Sequence, residues 1–172
     1  MALAVMNRTG AKKEVNVTLE MDWLLFDIMN ETFLRGRTIQ DRTNHKEVAS
    51  MFASEDEENK EKILRSIKKA YGELKAELSD YLDDQNLATN NKHLDFNRDL
   101  VLKLLMPSNF NEAATTTVGD ACHAYIVNQT VAEWYIVTNK SEADQYFQLA
   151  NQALDSVRFA SSKRARPLTP EK

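Results

Sequence analysis

From Leu64 to Tyr81 the apolar residues recur at alternating steps of three and four: Leu64, Ile67, Tyr71, Leu74, Leu78 and Tyr81. That rhythm puts them on one stripe of a helix, because 3.6 residues complete a turn. The opposite face is charged, and Ser54 with Glu57 has the S-x-x-E form of a capping box. The stretch 54–84 therefore predicts a long helix with one packed face, since about three heptads are too few to favour an independent coiled coil. A second apolar run predicts a first helix over 21–37. Trp23, Leu24, Leu25, Phe26, Ile28, Met29 and Phe33 give it a broad face. Asp22 is placed to cap that helix and Gly36 to end it in a left-handed conformation.

Upstream, Val15, Val17 and Leu19 alternate with polar residues, which reads as a short strand or extended arm. A lone strand is unstable, so it needs a partner from elsewhere, another subunit included. Residues 1–14 read as loose, and 38–54 as a polar connection. The segment "LDFNRDLVLKLLM", 94–106, predicts a short third helix that stops before Pro107. A fourth helix is expected from Glu112 to Val137, with Asn109 or Asn111 as cap and a length of about 40 Å. Ser141 and Asp144 open a fifth, whose stripe is Ala143, Phe147, Ala150, Leu154 and Val157, widened by Tyr146 and Ala153. So short a link predicts an antiparallel hairpin of the last two helices. The expectation is an all-α fold: a bundle of four to five helices in a single domain over 1–160. Residues 1–19 form an extended arm, 20–160 the bundle, and 161–172 a basic, proline-containing tail.

The fourth helix is unusual. Between Glu112 and Lys140 its only formal charges are Asp120 and Glu133, in a chain that is 28% charged. It could span a membrane, line an active site, or be covered on more than one side. No apolar run of 18 residues exists, and Asp120, Gln129 and Glu133 interrupt this one, so a membrane span is not expected. A mean hydropathy of −0.52 over 172 residues suits a soluble globular domain. Four glycines and three prolines are few for the turns of an all-β fold. The net charge of −4, from 22 basic and 26 acidic residues, is unlike a broad nucleic-acid-binding surface. A single cysteine makes no internal disulfide and suits a reducing compartment. "MALAVMNRTGAKKEV" lacks the basic start and apolar run of a signal peptide.

Candidate chemistry is sparse. Cys122 and His123 are adjacent, so on a helix they point about 100° apart and form no nucleophile–base pair by themselves. His45, His93 and His123 have no metal-ligand spacing, and there is no C-x-x-C. The stretch 84–95 has Asp84, Asn86, Asn90 and Asp95 in calcium-loop positions. Ala88 and Thr89 stand where a ligand and the turn glycine belong. No catalytic, cofactor-binding or metal residue is assigned. Tyr125, Trp134 and Tyr135 read as core packing, as a subunit interface, where such aromatics are enriched, or as a small-molecule pocket. Lys163, Arg164 and Arg166 read either as a solvated tail beside a helix C-terminus or as a docking tail that orders on binding.

Residues 109–167 carry a family likeness. A helix with "YIVN" and "AEWY", the turn "TNKSEA", a second amphipathic helix and the closing "KRARP" resemble the C-terminal half of head–tail connectors of tailed bacteriophages. The resemblance implies a structural virion protein with no enzymatic activity and no cofactor. It implies a helical bundle assembled as a closed ring of about a dozen copies. The ring would sit beneath the portal and extend the DNA channel. Tyr125, Trp134 and Tyr135 would lie in the bundle or between ring neighbours, and Lys163, Arg164, Arg166 and Pro167 would open a portal-docking tail. The implied partners are other copies of the chain, the portal protein and a tail or further ring component. DNA would pass without specific binding, which the net negative charge suits, because basic residues would add phosphate contacts. The implied location is the neck of the virion after assembly in the host cytoplasm, away from any membrane. Two other readings compete. One is a cytosolic helical-bundle regulator that dimerises through the 64–81 seam. The other is a small-ligand enzyme with a pocket among the first, fourth and fifth helices.

Overall fold

The computed structural model describes residues 2–9, 12–39, 49, 51–53, 57–83 and 98–166. In chain order they form β1 (Ala2–Thr9), β2 (Lys12–Leu19), α1 (Met21–Ile39), α2 (Glu57–Glu77), β3 (Leu100–Pro107), α3 (Thr115–Thr138) and α4 (Lys140–Ser162). Short 3₁₀ turns at Ser79–Tyr81 and Glu112–Ala114 follow α2 and precede α3. The chain is mainly helical. It is not an all-α bundle, because β1, β2 and β3 make an antiparallel sheet in that order.

The sheet corrects two expectations. Residues 1–19 are no free arm: β2 pairs with β1 on one side and β3 on the other, within the same chain. Val15, Val17 and Leu19 lie opposite Leu104, Leu102 and Leu100, and all six are fully or almost fully buried. Of the third helix expected over 94–106, residues 94–97 lie outside the described residues, and the run from Leu100 onward is instead β3. Its buried residues are Leu100, Leu102, Leu104 and Met106, a period of two. Leu, Lys and Met favour helices in isolation, but burying four side chains on one sheet face outweighs propensity, at about 1.5–3 kcal/mol for each large apolar side chain. Leu82 bridges to Leu104, and Asp83 N–H donates to the Lys103 carbonyl at 3.0 Å.

Helix α1 runs past Gly36, which is buried within it. A Cβ there would overlap the ring of Phe52, so this glycine serves close approach instead of a left-handed end. The cap is also different from the expected Asp22: Met21 N–H donates to Asp99 Oδ1 at 3.1 Å. Ser54 lies outside the described residues, so the capping box does too. The α2 face is as expected in kind. Ile63, Ile67, Ala70, Tyr71, Leu74 and Leu78 are buried, and Leu64 and Tyr81 pack at its margin. That face is spent inside the chain, against α3.

Helix α3 is the axis of the molecule. It packs against α1, α2 and α4 and against the β1–β2 hairpin. Thirteen of its residues are buried, and they are spread around its circumference. Where it meets the sheet, Gly119 allows the approach: a Cβ there would lie 3.2 Å from Ala4 Cβ. The scarcity of charge from 112 to 140 is therefore explained by cover from this chain's own elements on several sides. Asn111 accepts from Ala113 N–H at 3.1 Å and caps the preceding turn. Helix α4 follows after one residue, antiparallel to α3 as the short link requires. Its cap is Asn139, whose side chain accepts from Glu142 N–H, and not Ser141. Among the described residues no helix is long and apolar enough to cross a membrane.

Candidate functional site

The three aromatics of α3 each turn into the chain that carries them. Tyr125 is buried and its hydroxyl donates to Glu73 Oε2 of α2 at 2.7 Å. Burial, then that carboxylate, push its pKa up. Trp134 Nε1–H donates to the Met51 carbonyl at 2.9 Å, and Lys62 Nζ sits 4.6 Å from its ring centroid. Tyr135 is fully buried, donates to the Thr32 carbonyl at 3.3 Å and packs on Tyr146 with centroids 5.6 Å apart. All three pack into the core of the single chain. Trp134 also has a positioning task. Together with Thr32, whose hydroxyl accepts from Ala53 N–H at 3.2 Å, it straps residues 51–53 across α1 and α3.

Cys122 is fully buried, and burial pushes its thiol up to about 12. A thiol that stays protonated is no nucleophile. His123 acquires a partner that its sequence neighbours do not reveal: its Nε2 lies 2.8 Å from Asp27 Oδ2 of α1. This pair begins a polar ladder one turn apart along α1. Glu31 accepts from the Tyr146 hydroxyl at 3.0 Å, and Arg35 forms a fork with the buried Glu142 of α4. The ladder fastens α1 to the α3–α4 hairpin. Asp27 and His123 act in it as a clip, with Cys122 directed elsewhere. Among the described residues no three His, Cys, Asp or Glu side chains come together as a metal site would need. His45, His93 and the 84–95 stretch lie outside the described residues.

The basic tail begins tied down. Asn111 N–H donates to the Lys163 carbonyl at 3.1 Å, and Ala165 N–H donates to the Asn109 carbonyl at 2.7 Å, around a Phe110–Arg164 bridge. Arg164 also donates to the Ser161 carbonyl at 3.1 Å, and Lys163 Nζ lies 4.6 Å from the Phe159 centroid. The side chains of Lys163, Arg164 and Arg166 are exposed, as is Phe159. A depression of ≈ 240 Å³ separates Phe159 and Lys163 from Asn111 and Thr117. Pro167 lies outside the described residues.

Part of the broad apolar face expected of the first helix is exposed. Leu24 and Ile28 of α1 are buried, but Trp23, Phe26 and Phe33 are 46%, 58% and 46% exposed. Trp23 and Phe26 meet edge to face at 5.9 Å. Beside Phe26 and Phe33 runs a groove of ≈ 530 Å³ that is also lined by Asp22, Leu25, Met29, Asn30, Ala53 and Lys60. The signal was available. An apolar arc that takes in Trp23, Phe26, Ile28 and Phe33 is wider than one packed stripe of about 100° can bury. No protein-family model, curated protein or solved structure matches the chain.

Proposed function

We propose that this protein is a structural subunit of a tailed-phage neck, a head–tail connector that assembles as a ring beneath the portal and extends the DNA channel. The observation that carries the reading lies in the segment with the family likeness. There the α3–α4 hairpin ends in a backbone pairing of Lys163–Ala165 with Asn109–Asn111. The chain beyond Arg166 thus departs from a fixed point beside exposed Phe159, Lys163 and Arg166, which suits a tail that reaches a neighbouring protein. Burial of Cys122 and the satisfied polar atoms of Tyr125, Trp134 and Tyr135 support a scaffold over an enzyme. Burial of Ile67, Tyr71, Leu74 and Leu78 within the chain counts against the regulator reading. In this reading the copies of the ring, the portal protein and a tail component are the partners, and the neck of the virion is the location.

The deciding experiment mixes the purified chain with portal protein from the same phage and follows co-sedimentation and ring formation by electron microscopy. Stacked rings that contain both proteins are expected. A chain that neither co-sediments with portal nor adds density beneath it overturns the reading.

A further inference from the structure

The exposed face of α1 is complementary to itself. Asp22, Met29, Phe33, Phe26 and Arg37 fall within an arc of about 80° when each residue advances by about 100°. Along the axis the same residues are arranged symmetrically about the midpoint between Met29 and Asn30. Phe26 and Phe33 are equidistant from that point on opposite sides, and so are Asp22 and Arg37. Two antiparallel copies of α1 related by a two-fold axis there would set each Phe26 against the other copy's Phe33. They would also set each Asp22 against the other copy's Arg37. Met29 and Asn30 would meet their counterparts at the axis.

We infer that the free protein forms a two-fold dimer through this face of α1, the occupant of the groove being a second copy of the chain. Three observations point to that occupant over another. First, the charges at the two ends of the face are opposite, so an antiparallel mate brings attraction at both ends, whereas a parallel mate brings repulsion at both. Second, the Arg37 guanidinium already lies 5.5 Å from the Phe33 centroid, which holds it on this face instead of in open solvent. Third, six of the eight residues that line the groove, Asp22, Leu25, Phe26, Met29, Asn30 and Phe33, belong to α1, with Ala53 and Lys60 completing it, so the groove runs along the stretch of α1 that a second α1 would cover. One helix face is less than the roughly 800 Å² per partner of a standard interface, so the dimer is expected to be concentration-dependent. The contact is isologous and does not propagate, so it is distinct from the contact that would close a ring and does not rest on the connector reading.

Sedimentation velocity over a concentration series up to about 100 µM tests this, with circular dichroism to confirm that each variant is folded. The wild-type chain should pass from monomer to dimer, and Phe26→Glu should stay monomeric. Asp22→Arg and Arg37→Asp should each weaken the dimer at least about tenfold, and the two combined in one chain should restore it, because both end contacts are then re-formed with reversed sign. A wild-type chain that stays monomeric throughout overturns the proposal. So does a dimer indifferent to Phe26→Glu, or a double variant no tighter than the single ones. Ring formation with portal is read separately, so loss of the dimer and loss of the connector reading give different results.

Discussion

Two glycines on different helices show how much depends on what faces a single residue. Gly36 and Gly72 both sit within helices, where glycine costs about 1 kcal/mol relative to alanine. A Cβ on Gly36 would run into the Phe52 ring, whereas nothing lies within 4 Å of one on Gly72. Gly36→Ala should therefore destabilise the protein by about 1–3 kcal/mol through overpacking, despite better helix propensity. Gly72→Ala should stabilise it by about 0.8–1 kcal/mol. Urea denaturation of the two variants checks both signs. Cys122, fully buried and with its thiol pushed up to about 12, should react with a disulfide reagent only at the rate of unfolding. Rapid labelling in native buffer would contradict that. The sequence shows that Cys122 and His123 diverge on a helix. It does not show that Asp27 meets His123, because that contact joins residues 96 apart in the chain.

At the scale of elements, the helices declare themselves through period and the strands only in part. Val15, Val17 and Leu19 mark β2 because polar residues separate them. In "LVLKLLMP" Leu100, Leu102, Leu104 and Met106 carry the same alternation, but Val101 and Leu105 blur it, and the run then reads equally well as a helix. The decision comes from β2, which offers β3 a hydrogen-bonding edge and three apolar partners. The elements are also strapped by charge. Arg158 of α4 donates to both carboxylate oxygens of Glu77 at the end of α2, at 2.6 and 2.9 Å. Chiefly through those hydrogen bonds, Arg158 holds Glu77 below the ordinary carboxylate range. A carboxylate with a depressed folded-state pKa contributes stability above its unfolded pKa and loses it as the pH falls through the folded one. Glu77→Gln should thus be slightly less stable than wild type at about pH 7, and the gap should close as the pH falls through the depressed folded-state pKa and the carboxylate becomes neutral. A gap that persists in acid would show that shape, not charge, makes the strap.

For the whole molecule, the position of the tail decides where to cut. Residues 163–165 pair with 109–111, and Ser161 is buried, so removal from 161 onward would disturb the body. Truncation after Arg166 should leave the thermal midpoint unchanged and abolish co-sedimentation with portal; retained co-sedimentation would show that docking lies elsewhere. The surplus apolar width of α1 and the bareness of α3 have opposite outcomes in three dimensions: the first stays outside, the second is enclosed. By itself the sequence located the four helices, alongside a fifth over 94–106 that is β3 from Leu100 onward, together with the antiparallel α3–α4 hairpin, one packed face on α2 and strand character at β2, because each rests on period or short links within a few residues. The tertiary structure alone decided the sheet, the identity of β3, the enclosure of α3 and which residues of the wide apolar arc of α1 stay exposed. Those depend on which surfaces distant segments cover, and the free energy of cover belongs to pairs of segments rather than to either one alone.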